Sequence, residues 1–241
     1  MCSSDLRAGL VRQSQPSGRY GIGTLAAELG FAALRNMDVA ELAQDTLDDL
    51  RDQLQTVTSL TVWANRGPTI IRRSVHDQSV SLVVQLGGVM SMLGSANGRV
   101  FSAFAPRELT GSLIAAELGE RSVARAGLRT MAEVNALLDD VRAQGFATGT
   151  MHTGIVAASA PIFDYSGRIV AALALVGLEG VLDLTPDRRP VRTLLRATAE
   201  LSKRLGAASA KARAEVAPLG APAKTTVTRL RRVKALRPTA G

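Results

Sequence analysis

The sequence predicts an α+β fold, one antiparallel sheet flanked by helices. Three observations lead there. Segments of helical and strand periodicity follow one another as helix, hairpin, strand, three helices, three strands and helix. The stretch from Gly145 to Gly177 reads as strand, polar loop, strand, tight turn and strand, with apolar runs at Ile155–Phe163 and Arg168–Val176. Between those runs Asp164-Tyr165-Ser166-Gly167 has the residues of a hairpin turn. Hydrophobic content is 46% but aromatic content only 3%, so the core is built from Ala, Leu and Val.

The elements can be justified in order. Met1–Leu6, MCSSDL, resembles a translated sequencing adapter and is set aside as a non-native segment (residues 1–6). Residues 7–23 read as strand, Pro/Gly turn and strand, with Arg12 and Arg19 on the two arms; alone, such a hairpin is marginal in water. Residues 24–37 carry a short Ala/Leu-rich helix with Leu25, Leu29 and Leu34, expected to link what flanks it and to be a dimer element. Asp38 opens an amphipathic helix with Val39, Leu42, Thr46, Leu50, Leu54 and Val57 near one face and acidic residues on the other.

A hairpin follows, turning at Asn65-Arg66-Gly67-Pro68, and Ser79–Leu86 alternates as a further strand. A helix starts around Asn97 and runs through Val100, Phe101 and Phe104. Thr130-Met131-Ala132-Glu133 is a capping-box pattern, and the helix it opens closes at Gly145. Thr185-Pro186 is expected to start the last helix, with Val191, Leu194, Leu195, Leu201 and Leu205 inside and Gly206 at its end. The body of the fold therefore spans 38–206.

The net charge of +8 suggests nucleic acid until it is located. Residues 207–241 hold eight basic side chains against the single Glu215, leaving the rest of the chain nearly neutral. This Ala/Pro/Lys/Arg tail lacks apolar periodicity and reads as disordered; nonspecific phosphate contact by the tail is one reading of its charge. Few aromatics argue against a stacking platform for single strands. One cysteine, Cys2, excludes an intramolecular disulfide and fits a reducing compartment. No apolar run reaches the roughly 20 residues that span a bilayer, so no membrane partner is expected and a cytoplasmic location is.

Catalysis has no foothold. The two histidines, His76 and His152, form no cluster, and no nucleophile, phosphate-loop or zinc motif occurs. No enzyme activity, metal or cofactor is expected.

Several spaced segments do carry a resemblance: GLV and GRYGIG in the first hairpin, LGSANGRVFSAF (Leu93–Phe104), GFA at Gly145, GI at Gly154 and ASAPIFDYSGRIVAALALVG. In this order they resemble the IclR-type bacterial transcription regulators, over roughly residues 7–206. The resemblance implies a GAF/PAS-like effector-binding domain, preceded by the remnant wing of a winged helix-turn-helix. It further implies that about 50 to 60 residues of helix-turn-helix would precede Arg7, a size that suits one small module. Arg12 and Arg19 would then be phosphate contacts on double-stranded DNA, the alternative being solvated arginines on an edge hairpin.

The ligand pocket implied by the resemblance falls on Ala96, Asn97, Ala157, Ala174 and Val176, with the loop Thr148–Thr153, including Thr150 and His152, at its mouth. Asn97 lies where a helix N-terminus offers N–H groups to a carboxylate, or else it caps that helix. His152 is either a donor to an anionic ligand or a solvent-exposed loop histidine. Alanines and a valine where polar strand residues are common suggest a larger or more apolar acid, such as an aromatic one. The resulting expectation is a ligand-responsive DNA-binding regulator, a homodimer or homotetramer with a small organic acid effector. A stand-alone GAF-like sensor or dimerisation domain without DNA binding is the alternative.

Overall fold

The computed structural model describes residues 6–14, 17–26, 28–29, 39–76, 84–120, 123, 127–152 and 154–208, with the side chains of 151 and 152 left aside. Strands β1 (Val11–Gln13) and β2 (Tyr20–Ile22) pair antiparallel in a two-stranded sheet of their own. Helix α1 (Val39–Leu54) leads into β3 (Val57–Ala64) and β4 (Gly67–Ser74), and α2 (Ala96–Phe104), α3 (Arg107–Glu117) and α4 (Met131–Gln144) follow. The chain closes with β5 (Ala147–His152), β6 (Ile155–Phe163), β7 (Ile169–Leu178) and α5 (Arg189–Arg204).

Strands β3 to β7 form an antiparallel sheet in the order β4-β3-β7-β6-β5. Alternation along each strand sends neighbouring residues to opposite faces. One face carries Leu60, Ala158, Ala160, Ile162, Leu173 and Leu175, which pack under α1 and α5. The other carries Val57, Ser59, Ala157, Ser159, Ala172, Ala174 and Val176, residues with little bulk, and over it lie α2 and α4. This second face holds the candidate site.

Several expectations are met in detail. The β6–β7 turn is held by the Asp164 and Arg168 main chains, and Asp164 Oδ1 accepts from the Ser166 N–H at 2.8 Å. The capping box at Thr130 is complete: Glu133 N–H donates to Thr130 Oγ1, and the Glu133 carboxylate accepts from the Thr130 N–H at 2.8 Å. Gly145 ends α4 at φ 76°, a left-handed position suited to glycine. After α5, Gly206 N–H bonds to Lys203 O and Ala207 N–H to Ser202 O, the paired closure of a Schellman motif.

Others are corrected. Thr148–His152 is not a loop: Ala147–His152 is the edge strand β5, paired with β6 through Thr150 and shifted in register beyond it, and Thr153 lies outside the described residues. Thr185 does not start α5, because its hydroxyl and N–H are both engaged by Asp183; the helix starts at Arg189, with Pro190 in its first turn. The buried residues of α1 are Ala40, Ala43, Leu47 and Leu50, with Val39, Leu42 and Leu54 partly buried beside them, while Val57 lies beyond the helix in β3. Ser79–Val83 of the expected strand lie outside the described residues, and Val84–Leu86 are irregular. Asp38, Leu34 and the tail from 209 onward also lie outside them, while Leu25 and Leu29 sit on a short helical segment with 36% and 55% of their surface exposed.

The N–H groups of Arg129 and Thr130 hold the Glu133 carboxyl below its usual range. A lowered folded-state value stabilises above the unfolded value and is lost as pH falls through the folded one. Glu133→Ala is therefore expected to lower the melting temperature at neutral pH. The gap from the parent protein should close as pH drops below the ordinary glutamate range, as thermal denaturation across pH would record.

Candidate ligand-binding site

The site begins with how α2 is seated. The carboxylate of Glu117, at the end of α3, accepts from Ser91 Oγ (2.7 Å), Met92 N–H (2.7 Å) and Leu93 N–H (2.9 Å), pinning the turn before the helix. Ser95 is the N-cap, its Oγ accepting from Gly98 N–H at 2.9 Å. Asn97 is thus not the cap. Its buried side chain accepts from Ser159 Oγ at 2.6 Å, tying the first turn of α2 to the sheet. The helix end rests on β5 so closely that a Cβ at Gly149 would lie 2.9 Å from Ala96 N.

Two spaces flank this helix end. The larger is an open cleft of about 1390 Å³, bordered by Gly88–Ser91, Gly94, Ser95, Arg99, Thr148–Thr150 and Leu182–Pro186. The smaller, about 10 Å³, lies between α2 and the sheet, lined by Ser59, Ile70, Val84, Met90, Ser95, Ala96, Asn97, Ala157, Ala174 and Val176. Both touch Ile70, Met90 and Ser95.

Five of the expected pocket residues, Ala96, Asn97, Ala157, Ala174 and Val176, therefore come together around the small space. Thr150 stands apart from them on the open cleft. His152 is on β5, with its side chain outside the described residues. Arg12 and Arg19 are exposed on the β1–β2 hairpin, away from both spaces.

Sequence reasoning passed over Arg99, Glu117 and Ser59. Arg99 was within the quoted LGSANGR segment, but its role depends on the fold. Its guanidinium donates to two main-chain oxygens, Leu93 O through Nε and Thr148 O through Nη1, each at 2.7 Å. Partial burial pushes this guanidinium below its ordinary value, and among the described residues no carboxylate is paired with it. The carboxylates at the cleft, Glu120, Glu179 and Asp183, are exposed, and Asp183 is already engaged by Thr185 and Arg188. Those hydrogen bonds hold Asp183 below the usual carboxylate range.

A helix-covered antiparallel sheet, opened by a cleft at a helix N-terminus and floored by small residues, defines a small-molecule sensor domain rather than a nucleic-acid platform. Comparison with known proteins agrees. Residues 31–203 match the family described as bacterial transcriptional regulator IclR C-terminal. The glycerol operon regulatory protein of Streptomyces griseus is 31% identical, across 83% of this chain and 79% of its own. The crystal structure of Pseudomonas aeruginosa HmgR is similar at 33% identity with a TM-score of 0.76, covering 85% of this chain and 82% of that one. The Thermotoga maritima IclR structure, 22% identical with a TM-score of 0.62 over 84% of this chain and 82% of that one, shares the fold. The chain belongs to the IclR family of ligand-responsive bacterial transcription regulators.

Proposed function

We propose that this regulator responds to a small organic or aromatic acid held beside α2, and that the acid alters the affinity of the intact protein for its operator. The observation that carries the reading is Arg99, a half-buried guanidinium on the wall of the open cleft, held by the main-chain carbonyls of Leu93 and Thr148 and, among the described residues, by no carboxylate. A ligand carboxylate would supply the missing counter-charge with charge-assisted hydrogen bonds. Ala96 and Asn97, in the first turn of α2, add N–H groups without partners inside the helix and the favourable end of its dipole.

The remaining parts of the proposal follow the family. The β1–β2 hairpin acts as a wing, with Arg12 and Arg19 on phosphates of double-stranded DNA. A homodimer or homotetramer would set two such wings on one operator, and the exposed Leu25 and Leu29 are the apolar residues that pairing would cover. Binding of the acid shifts the balance between DNA-competent and incompetent arrangements by its differential affinity for them. The protein acts in the cytoplasm and not as an enzyme.

A thermal-shift screen of the whole chain against small aliphatic and aromatic acids tests the pocket. At least one acid should raise the melting temperature by several degrees at saturating concentration. A flat response across the panel from a folded protein would count against it. Salt-dependent operator binding by the full-length regulator, with and without that acid, tests the coupling.

A further inference from the structure

The charge of this chain is divided unevenly along its length. From Arg188 to the end stand fourteen basic side chains against Glu200 and Glu215, whereas the preceding residues hold fifteen basic and nineteen acidic ones. Much of the basic excess belongs to α5 itself. On a helix of about 3.6 residues per turn, Arg189, Arg192, Arg196 and Lys203 fall within about 60° of one another, a single stripe. All four are exposed, while Val191, Leu194, Thr198 and Leu201 of the same helix are buried.

Helix stability does not explain the stripe. The helix dipole favours cations in the last turn, which covers Lys203 and Arg204. It disfavours them at the start, yet Arg188 is the N-cap, Arg189 follows, and the first turn has no acidic residue. Internal pairing does not explain it either. Arg188 pairs with Asp183 at 3.1 Å, and Arg189 and Arg204 reach main-chain oxygens of α1, Gln53 O and Leu42 O. Among the described residues, the side chains of Arg192, Arg196 and Lys203 have no hydrogen-bond or ion-pair partner.

Unpaired cations in a row suit a polyanion. Arg192 and Lys203 lie about 16 Å apart along the helix axis, a length over which one strand of B-DNA sets about five phosphates. The rival occupant is a second copy of this chain, because α1, packed beside α5, exposes Glu41, Asp45, Asp49 and Asp52. Asp52 is already paired with Arg51, and four carboxylates fall far short of the net excess of twelve that begins at Arg188.

We propose that the exposed face of α5, together with the basic segment that follows it in sequence, is a second surface for double-stranded DNA that binds phosphates without reading bases. It depends on neither the effector pocket nor the wing. It adds affinity for DNA beside the operator contacts, and that addition responds to salt and not to sequence.

Fluorescence anisotropy of a labelled duplex of arbitrary sequence, about 30 base pairs long, tests this with the whole chain between about 50 and 200 mM KCl. Three proteins are compared. They are the parent, Arg192→Gln/Arg196→Gln/Lys203→Gln, and a control with the same change of charge at exposed cations elsewhere, Arg66→Gln/Arg72→Gln/Arg107→Gln. Each phosphate contact adds about 0.9 to the slope of log affinity against log salt, so the α5 variant should lose about 2 to 3 of the parent's slope. Across that range of salt the parent should therefore shed roughly fortyfold more affinity than the α5 variant. The control should keep the parent's slope. The α5 variant should also keep the parent's melting temperature, since only exposed, unpaired side chains change. Matching slopes in the parent and the α5 variant, or a control that falls as far, overturn the proposal. So does a salt-labile self-association, seen by sedimentation and lost in the α5 variant, with duplex binding unchanged; the stripe then belongs to a second copy. The expected slope difference is the same whether or not any acid binds the pocket and whether or not the wing touches DNA.

Discussion

Gly98→Ala is expected to lower stability by about 3 kcal/mol or more, the upper range for overpacking a rigid contact. For a domain of this size that is a fall in melting temperature of roughly 10 °C. A Cβ at Gly98 would lie 1.9 Å from Ser91 O and 2.6 Å from Met92 Cα, both main-chain atoms. The strand of chain it meets cannot retreat freely, because Glu117 holds Ser91, Met92 and Leu93 by three hydrogen bonds. Arg99 is anchored to Leu93 O in the same turn, so the cleft wall would be displaced along with the helix. Gly119→Ala, where an added Cβ meets nothing within 4 Å, is the matched control and should melt within about 1 °C of the parent protein. Equal melting temperatures for the two variants would show that the seat of α2 is soft.

Arg99→Ala is expected to weaken binding of a carboxylate effector by roughly ten- to a hundredfold, the range for losing hydrogen bonds to a charged group. Because Arg99 also ties Leu93 O and Thr148 O, the melting temperature of the variant is read beside its affinity. Arg99→Lys should fall between, since a lysine keeps the charge but cannot reach Leu93 O and Thr148 O with a fixed fork. Calorimetric titration of the three proteins with an acid found by the screen reads these outcomes directly. Undiminished affinity in Arg99→Ala would remove the carboxylate from this wall of the cleft.

Much of the architecture was legible because it is written in local signals. The Thr130 capping box, the Gly145 and Gly206 helix ends and the Asp164–Gly167 turn each depend on residues within a few positions of one another. Where local signals competed, the reading slipped. Thr185-Pro186 has the look of a helix start, yet Asp183 takes both polar groups of Thr185 and the helix waits for Pro190. Thr148–Thr153 looks like a polar loop because an edge strand with one side open to water has no reason to be apolar.

The sequence by itself determined the class of fold, the order of its elements and the small-residue character of the pocket floor, since periodicity, capping and turn chemistry act over short separations. It also carried, through spaced segments, the resemblance that places the chain among ligand-responsive regulators. Only the tertiary structure decided which side chains share a space. Ser59 is one serine among many until pairing with β7 sets it beside Ala174 and across from Asn97. Arg99 is a surface-type residue on a helix until α2 settles on Gly149 and brings its guanidinium to Thr148 O. Burial and hydrogen-bond satisfaction are sums over neighbours brought from 40 to more than 100 positions away, and no local pattern encodes them.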